Sequence, residues 1–154
     1  MPWCYTQEEQ HVETMKVNKI ELPSNVEAHL SGRASKLTVE QKERLTALLT
    51  ATETALPELF DLDGVLEANR FWSSAHVERY VGVESSFFSP GNIDPQRTVL
   101  IGQAEPDSPI ALDFRCSPPR VVYFGDAGYW VELFPNYESL IAAISPTAPD
   151  RPPT

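Results

Sequence analysis

Glycine is scarce in this chain, cysteine is scarcer, and no apolar run is long. The 154 residues include seven glycines. None of them is arranged as the Gly-x-x-x-x-Gly-Lys or Gly-x-Gly-x-x-Gly turns that cradle phosphate with backbone N–H groups, so a nucleotide site of either kind is not expected. The two cysteines, Cys4 and Cys116, are far apart and belong to no Cys-x-x-Cys pair. Neither a zinc site nor a redox motif follows, and both are read as free thiols. His11, His29 and His76 stand apart from one another and from acids at ligand spacing, so no metal is expected. No stretch approaches the roughly 20 apolar residues that cross a bilayer. Met1 to Tyr5 lacks the basic start and apolar stretch of a secretory signal, and a cytoplasmic protein without a membrane partner is the expectation.

Positive charge is also in short supply. Twelve Lys and Arg face 22 Asp and Glu, for a formal net charge of −10. Such a field repels nucleic acid and anionic lipid, which removes both as expected partners. No Lys or Arg occurs between Arg44 and Arg70, while Glu53, Glu58, Asp61, Asp63 and Glu67 all fall in that gap. This acidic stretch is either a solvated face or a docking surface for a basic partner, whose approach a complementary field would accelerate.

The apolar pattern gives the fold class. Thr6 and Glu9 form a capping-box pattern for a short helix over about residues 7 to 16. Ser24 caps a brief helix carrying Val26 and Leu30, which Gly32 ends. Thr38 and Gln41 cap a longer helix, from about Val39 to Glu53, with Leu45, Leu48 and Leu49 at helical spacing. After Pro57, Leu59 to Leu62 reads as a short strand or link. Asp63 then caps a helix whose inner face carries Val65, Leu66, Asn69, Trp72 and Ser73. Residues 81 to 95 lose periodicity and read as a loop.

Beyond that loop the period changes to two. Thr98 to Ile101 is a strand closed by Gly102. Pro109 to Arg115 alternates, with Ile110, Leu112 and Phe114 on one side and Ala111, Asp113 and Arg115 on the other. Val121 to Phe124 is apolar throughout, as for an interior strand. A glycine-bearing turn leads to a strand with Tyr129, Val131 and Leu133 on one face and Trp130, Glu132 and Phe134 on the other. Asn136 caps a last helix with Tyr137, Leu140, Ile141 and Ile144 in a stripe, and Pro146 to Thr154 reads as a disordered tail. The expectation is one α+β domain over residues 1–145: N-terminal helices, then a mainly antiparallel sheet, then a closing C-terminal helix.

Reactive constellations are missing. There is no Gly-x-Ser-x-Gly elbow and no His-Glu-x-x-His. Asp61-Leu62-Asp63-Gly64 has the opening of a calcium loop, but Val65 stands where a third ligand is needed and Trp72 where the closing Glu belongs. Asp113 and Glu132 are the one carboxylate pair worth testing for hydrolysis, and solvent-facing cross-strand charge is the simpler reading. Trp72 and Trp130 are either core or aromatic anchors for a partner.

Several segments together resemble the SUKH superfamily, which includes a fungal regulator of cell-wall synthesis and many bacterial immunity proteins. They are Ile101-Gly102, Ser108 to Arg115, Pro119 to Tyr123, Trp130-Val131 and Phe134 to Leu140, preceded by Leu59 to Leu62, Val65 to Asn69 and Trp72. Asp107-Ser108 replaces the family's frequent Gly-Asp, and Phe134 replaces a frequent Ala. The resemblance implies an α+β domain with a central mixed sheet, used without catalysis or cofactor to bind a protein. Its specific form would be an immunity protein that neutralises a basic toxin such as a nuclease. The residues expected to meet that partner are Glu53, Glu58, Asp61, Asp63, Glu67, Trp72 and Trp130. A scaffold for an endogenous protein is the alternative, and an uncharacterised hydrolase a third.

Overall fold

The computed structural model describes residues 16–17, 19–32, 37–49, 57–72, 77–105, 108–125 and 128–145. Glu53, the tail from Pro146 and all but the last residue of the helix expected over 7 to 16 lie outside them. Lys16, that last residue, instead opens a small antiparallel hairpin of β1 (Lys16–Val17) and β2 (Ile20–Glu21). Pro23 then leads into α1 (Ser24–Gly32), which buries Val26 and Leu30 one turn apart.

Helix α2 (Val39–Leu49) begins at the capping box that the residue spacing predicts. The Thr38 N–H donates to Gln41 Oε1 at 2.9 Å and the Gln41 N–H to Thr38 Oγ1 at 3.0 Å, so two N–H groups left over by the helix start are satisfied. Strand β3 (Glu58–Leu59) runs into α3 (Leu62–Trp72). The cap there is Asp61 rather than Asp63: Asp61 Oδ1 accepts the Gly64 N–H at 2.9 Å, two residues earlier than expected. Asp63 lies in the first turn, where its charge opposes the helix's positive end.

The segment from 77 to 97 is more ordered than its composition suggests. It holds a 3₁₀ turn at Val77–Tyr80, strand β4 (Pro90–Gly91) and a second 3₁₀ turn at Pro95–Arg97. Four strands follow: β5 (Thr98–Glu105), β6 (Ser108–Asp113), β7 (Arg120–Phe124) and β8 (Trp130–Phe134). They form a meander inside a six-stranded sheet of order β3-β5-β6-β7-β8-β4. Each pairing is antiparallel, which corrects the mixed sheet that the resemblance implies. The reason is the connections, which link β5 to β8 as successive hairpins with no crossover helix between them.

Two further expectations are corrected here. Gly102 does not end its strand, because the lack of a side chain lets β3 lie alongside. A Cβ at that position would come within 2.4 Å of the Glu58 carbonyl oxygen. In β8, Phe134 does not share a face with Trp130 and Glu132. Val121 pairs with Phe134 while Val122 pairs with Glu132, so Leu133 is an extra residue that resets the two-residue alternation.

Helix α4 (Tyr137–Ile144) closes the chain, with Asn136 Oδ1 accepting the Ser139 N–H at 2.8 Å. Its Tyr137, Leu140 and Ile144 join α1, α2, Val99, Ile101, Ile110, Leu112 and Val121 in one core. Full burial of each such aliphatic side chain contributes about 1.5–3 kcal/mol. The opposite face of the sheet is not left to solvent. Leu100, Ala111, Val122 and Trp130 are covered there by Trp72, Tyr80 and Ile93. This second layer is why β6, expected to have a wet side, is buried at all six positions.

Candidate protein-interaction surface

Helix α3 lies along the outer side of β5, where β3 is too short to pair the whole strand. Its buried Asn69 takes over: the Nδ2 donates to the Leu100 carbonyl at 2.9 Å and the Oδ1 accepts the Leu100 N–H at 2.8 Å. A side-chain amide thus replaces a missing strand and seals that edge against other chains. It also holds the acidic residues of β3 and α3 in place.

Those acids are solvent-exposed. Glu58, Asp61, Asp63 and Glu67 all lie at the surface, and Asp63 and Glu67, four residues apart, share one side of α3. Among the described residues Glu58 and Asp63 form no ion pair, whereas Glu67 meets Arg70 at 3.5 Å. Glu58 and Asp61 flank an open groove of about 410 Å³ whose single cation is Lys42. Among the described residues, Glu58, Asp61 and Asp63 therefore carry charge that no cation neutralises at contact distance.

Trp72 and Trp130 do not belong to this surface. They are 6% and 0% exposed, in the layer on the second face of the sheet. Trp130 Nε1 donates to the Tyr80 carbonyl, and its ring lies 5.3 Å from that of Phe124. An anchor must offer its ring to solvent; these two rings fill the space between the sheet and residues 77–93, which corrects their reading as partner contacts.

Asp113 and Glu132 are bridged by a cation, and they are not both solvent-facing. Asp113 is fully buried, and Arg120 from β7 sits between the two acids. Arg120 Nε donates to Asp113 Oδ2 at 2.9 Å, and its Nη1 to Glu132 Oε1 at 3.4 Å. Arg115 clamps the other side of Asp113 through its Nε at 3.0 Å and its backbone N–H at 3.0 Å, and reaches the Asn92 carbonyl through Nη2 at 2.7 Å. Burial alone would push the Asp113 carboxyl up, but the Arg115 hydrogen bonds and the charges of Arg115 and Arg120 outweigh it and hold the carboxyl below its ordinary value. Arg120 is likewise held above its ordinary value, since the Asp113 charge outweighs its own desolvation. The cluster ties β6, β7 and β8 to the loop at Asn92, and its charges are spent on one another.

Periodicity gives no sign of a cluster of exposed apolar residues in one loop. Phe87 is 88% exposed, Val83 60% and Phe88 37%, all in the loop between the first 3₁₀ turn and β4. Phe88 stacks on Tyr129 with ring centroids 4.9 Å apart. A signal was present, because Ser85-Ser86-Phe87-Phe88 places two aromatics in a Gly- and Pro-bounded stretch with no apolar face for them to join.

Among the described residues no group of three or more His, Cys, Asp or Glu could hold a metal ion, and no helix is long and apolar enough to cross a membrane. No family model, curated protein or solved structure matches the chain.

Proposed function

We propose that this chain is a non-catalytic protein-binding domain whose partner is a basic protein. The observation that carries the reading is the run of exposed acids Glu58, Asp61, Asp63 and Glu67 on β3 and α3, in a chain of net charge −10. Charges held on ordered elements, three of the four without a partner cation among the described residues, steer an oppositely charged protein and penalise a like-charged one. The buried carboxylate Asp113 supports the non-catalytic half of the proposal, because two arginines neutralise it where an acid–base residue would need to exchange protons. The SUKH-like order of segments from Leu56 to Ile144 adds the specific form: an immunity protein of the cytoplasm that covers the phosphate-gripping surface of a nuclease-type toxin. Acids on the inhibitor take the place of phosphates there.

Co-expression tests this directly. The full chain is produced in cells together with the basic toxin domain encoded beside its gene. Survival of cells that die without the chain, with a stable complex on gel filtration, is the expected outcome. Cell death despite soluble chain, or a neighbouring gene that encodes no basic protein, contradicts it.

A further inference from the structure

We propose that the loop from Val83 to Phe88 is the anchor by which this domain grips its basic partner, with Phe87 inserted into an apolar pocket of that protein. The inference rests on the protein-binding reading above and adds the contact that supplies its affinity.

A phenylalanine that is 88% exposed leaves its apolar surface in water, yet the loop beneath it is tightly held. Ser85 Oγ accepts the N–H groups of Phe87 and Phe88 at 2.9 and 3.1 Å, fixing the turn at the tip. The Val83 N–H donates to the Gly91 carbonyl at 3.2 Å, and the Glu132 N–H to the Ser89 carbonyl at 2.8 Å, so both stems are tied down. Gly91 makes the fold-back possible: its φ is +80°, and a Cβ there would come within 2.6 Å of the Val83 carbonyl oxygen and 2.9 Å of the Ser85 nitrogen. Phe88, stacked on Tyr129, braces the base. The loop backbone is therefore held before binding, and a partner that covers Phe87 removes roughly 150–250 Å² of aromatic surface from water while immobilising little more than that side chain.

Charge selects the occupant. Glu84, exposed in the loop itself, forms no ion pair among the described residues, and the guanidiniums of Arg115 and Arg120 are committed to Asp113 and, for Arg120, to Glu132. The exposed Arg79 lies against its own neighbour, 5.8 Å from the Tyr80 ring centroid. A second copy of the chain would bring another −10 against this rim, and an anionic bilayer would repel it too. A pocket edged with Lys and Arg matches an aromatic tip that carries the Glu84 carboxylate.

The test compares the wild-type full chain with Phe87→Ala and Phe88→Ala, titrated against the basic toxin domain encoded beside its gene. Thermal melts of the three proteins check folding; Phe87 touches little, so its truncation is expected to leave the melt unchanged. Phe87→Ala is expected to weaken binding by about 30-fold or more, as for a hot-spot side chain, with Phe88→Ala costing less. Wild-type binding that Phe87→Ala retains within about threefold overturns the anchor while leaving the protein-binding reading intact. If the wild type itself does not bind, the protein-binding reading falls and the anchor with it. A wild-type dimer in sedimentation that Phe87→Ala dissolves, or Phe87-dependent binding to phosphatidylcholine–phosphatidylglycerol vesicles, assigns the tip to another occupant and also overturns the proposal.

Discussion

Replacing Asp113 by Ala lowers the unfolding free energy by about 3 kcal/mol, the expected cost of taking the buried counter-charge from two half-buried guanidiniums. Denaturant titration reads this value directly. The acid is fully buried, while the Arg115 and Arg120 side chains keep 27% and 19% of their exposure. The residual water around the guanidiniums places the loss at the lower end of the range for broken buried pairs. A loss below about 1 kcal/mol, the scale of a surface ion pair, would mean that the cluster contributes little to the sheet. The same residue sets a pH dependence. Its folded-state carboxyl sits below the ordinary value of 3.8, so its stabilisation is complete above that value and fades as the pH falls through the lower, folded-state one. Asp113→Asn is therefore expected to flatten the acid limb of the stability curve, and an unchanged limb would rule this residue out as its source.

Trp130→Ala is expected to cost about 3–5 kcal/mol, since it empties the centre of the second layer and leaves a cavity beside Phe124. It also removes the indole N–H that donates to the Tyr80 carbonyl. Trp130→Phe fills most of the volume and loses the hydrogen bond, so its cost should be closer to 1 kcal/mol plus the residual void. The contrast with Phe87 is instructive. Truncating the buried ring should lower stability first and binding only as folded protein is lost, whereas truncating the exposed ring should do the reverse. Normal stability with lost binding in Trp130→Ala would return this residue to the interface.

How much of this was legible before the structure depended on whether a property was local. The caps at Thr38 and Asn136 were, because each is a few residues of chain satisfying its own N–H groups. So was the interior position of β7, where an unbroken apolar run requires cover on both sides. The alternation in β6 correctly separated Ile110 and Leu112 from Ala111, yet the side assigned to water is buried. What covers it, Tyr80 and Ile93, comes from a segment without periodicity. Asp113 misled for the same reason: its burial depends on Arg115 and Arg120 closing over it, and pairing across strands has no local signature. The acidic gap was visible in composition, and the structure places its described members at the surface. The aromatic tip has no periodic signature, because its apolar residues sit in a loop and face outward.

The central claim is that exposed acids draw a basic protein onto this domain. The most direct measurement is the association rate of the full chain with the basic toxin domain encoded beside its gene, taken from low to high salt. The comparison chain carries Glu58→Gln, Asp61→Asn, Asp63→Asn and Glu67→Gln; Asn at 61 keeps an acceptor for the α3 cap. The wild-type rate should fall by about 10-fold or more as salt screens the field, and the comparison chain should start slower and change less. Rates that coincide for the two chains and ignore salt would contradict the account.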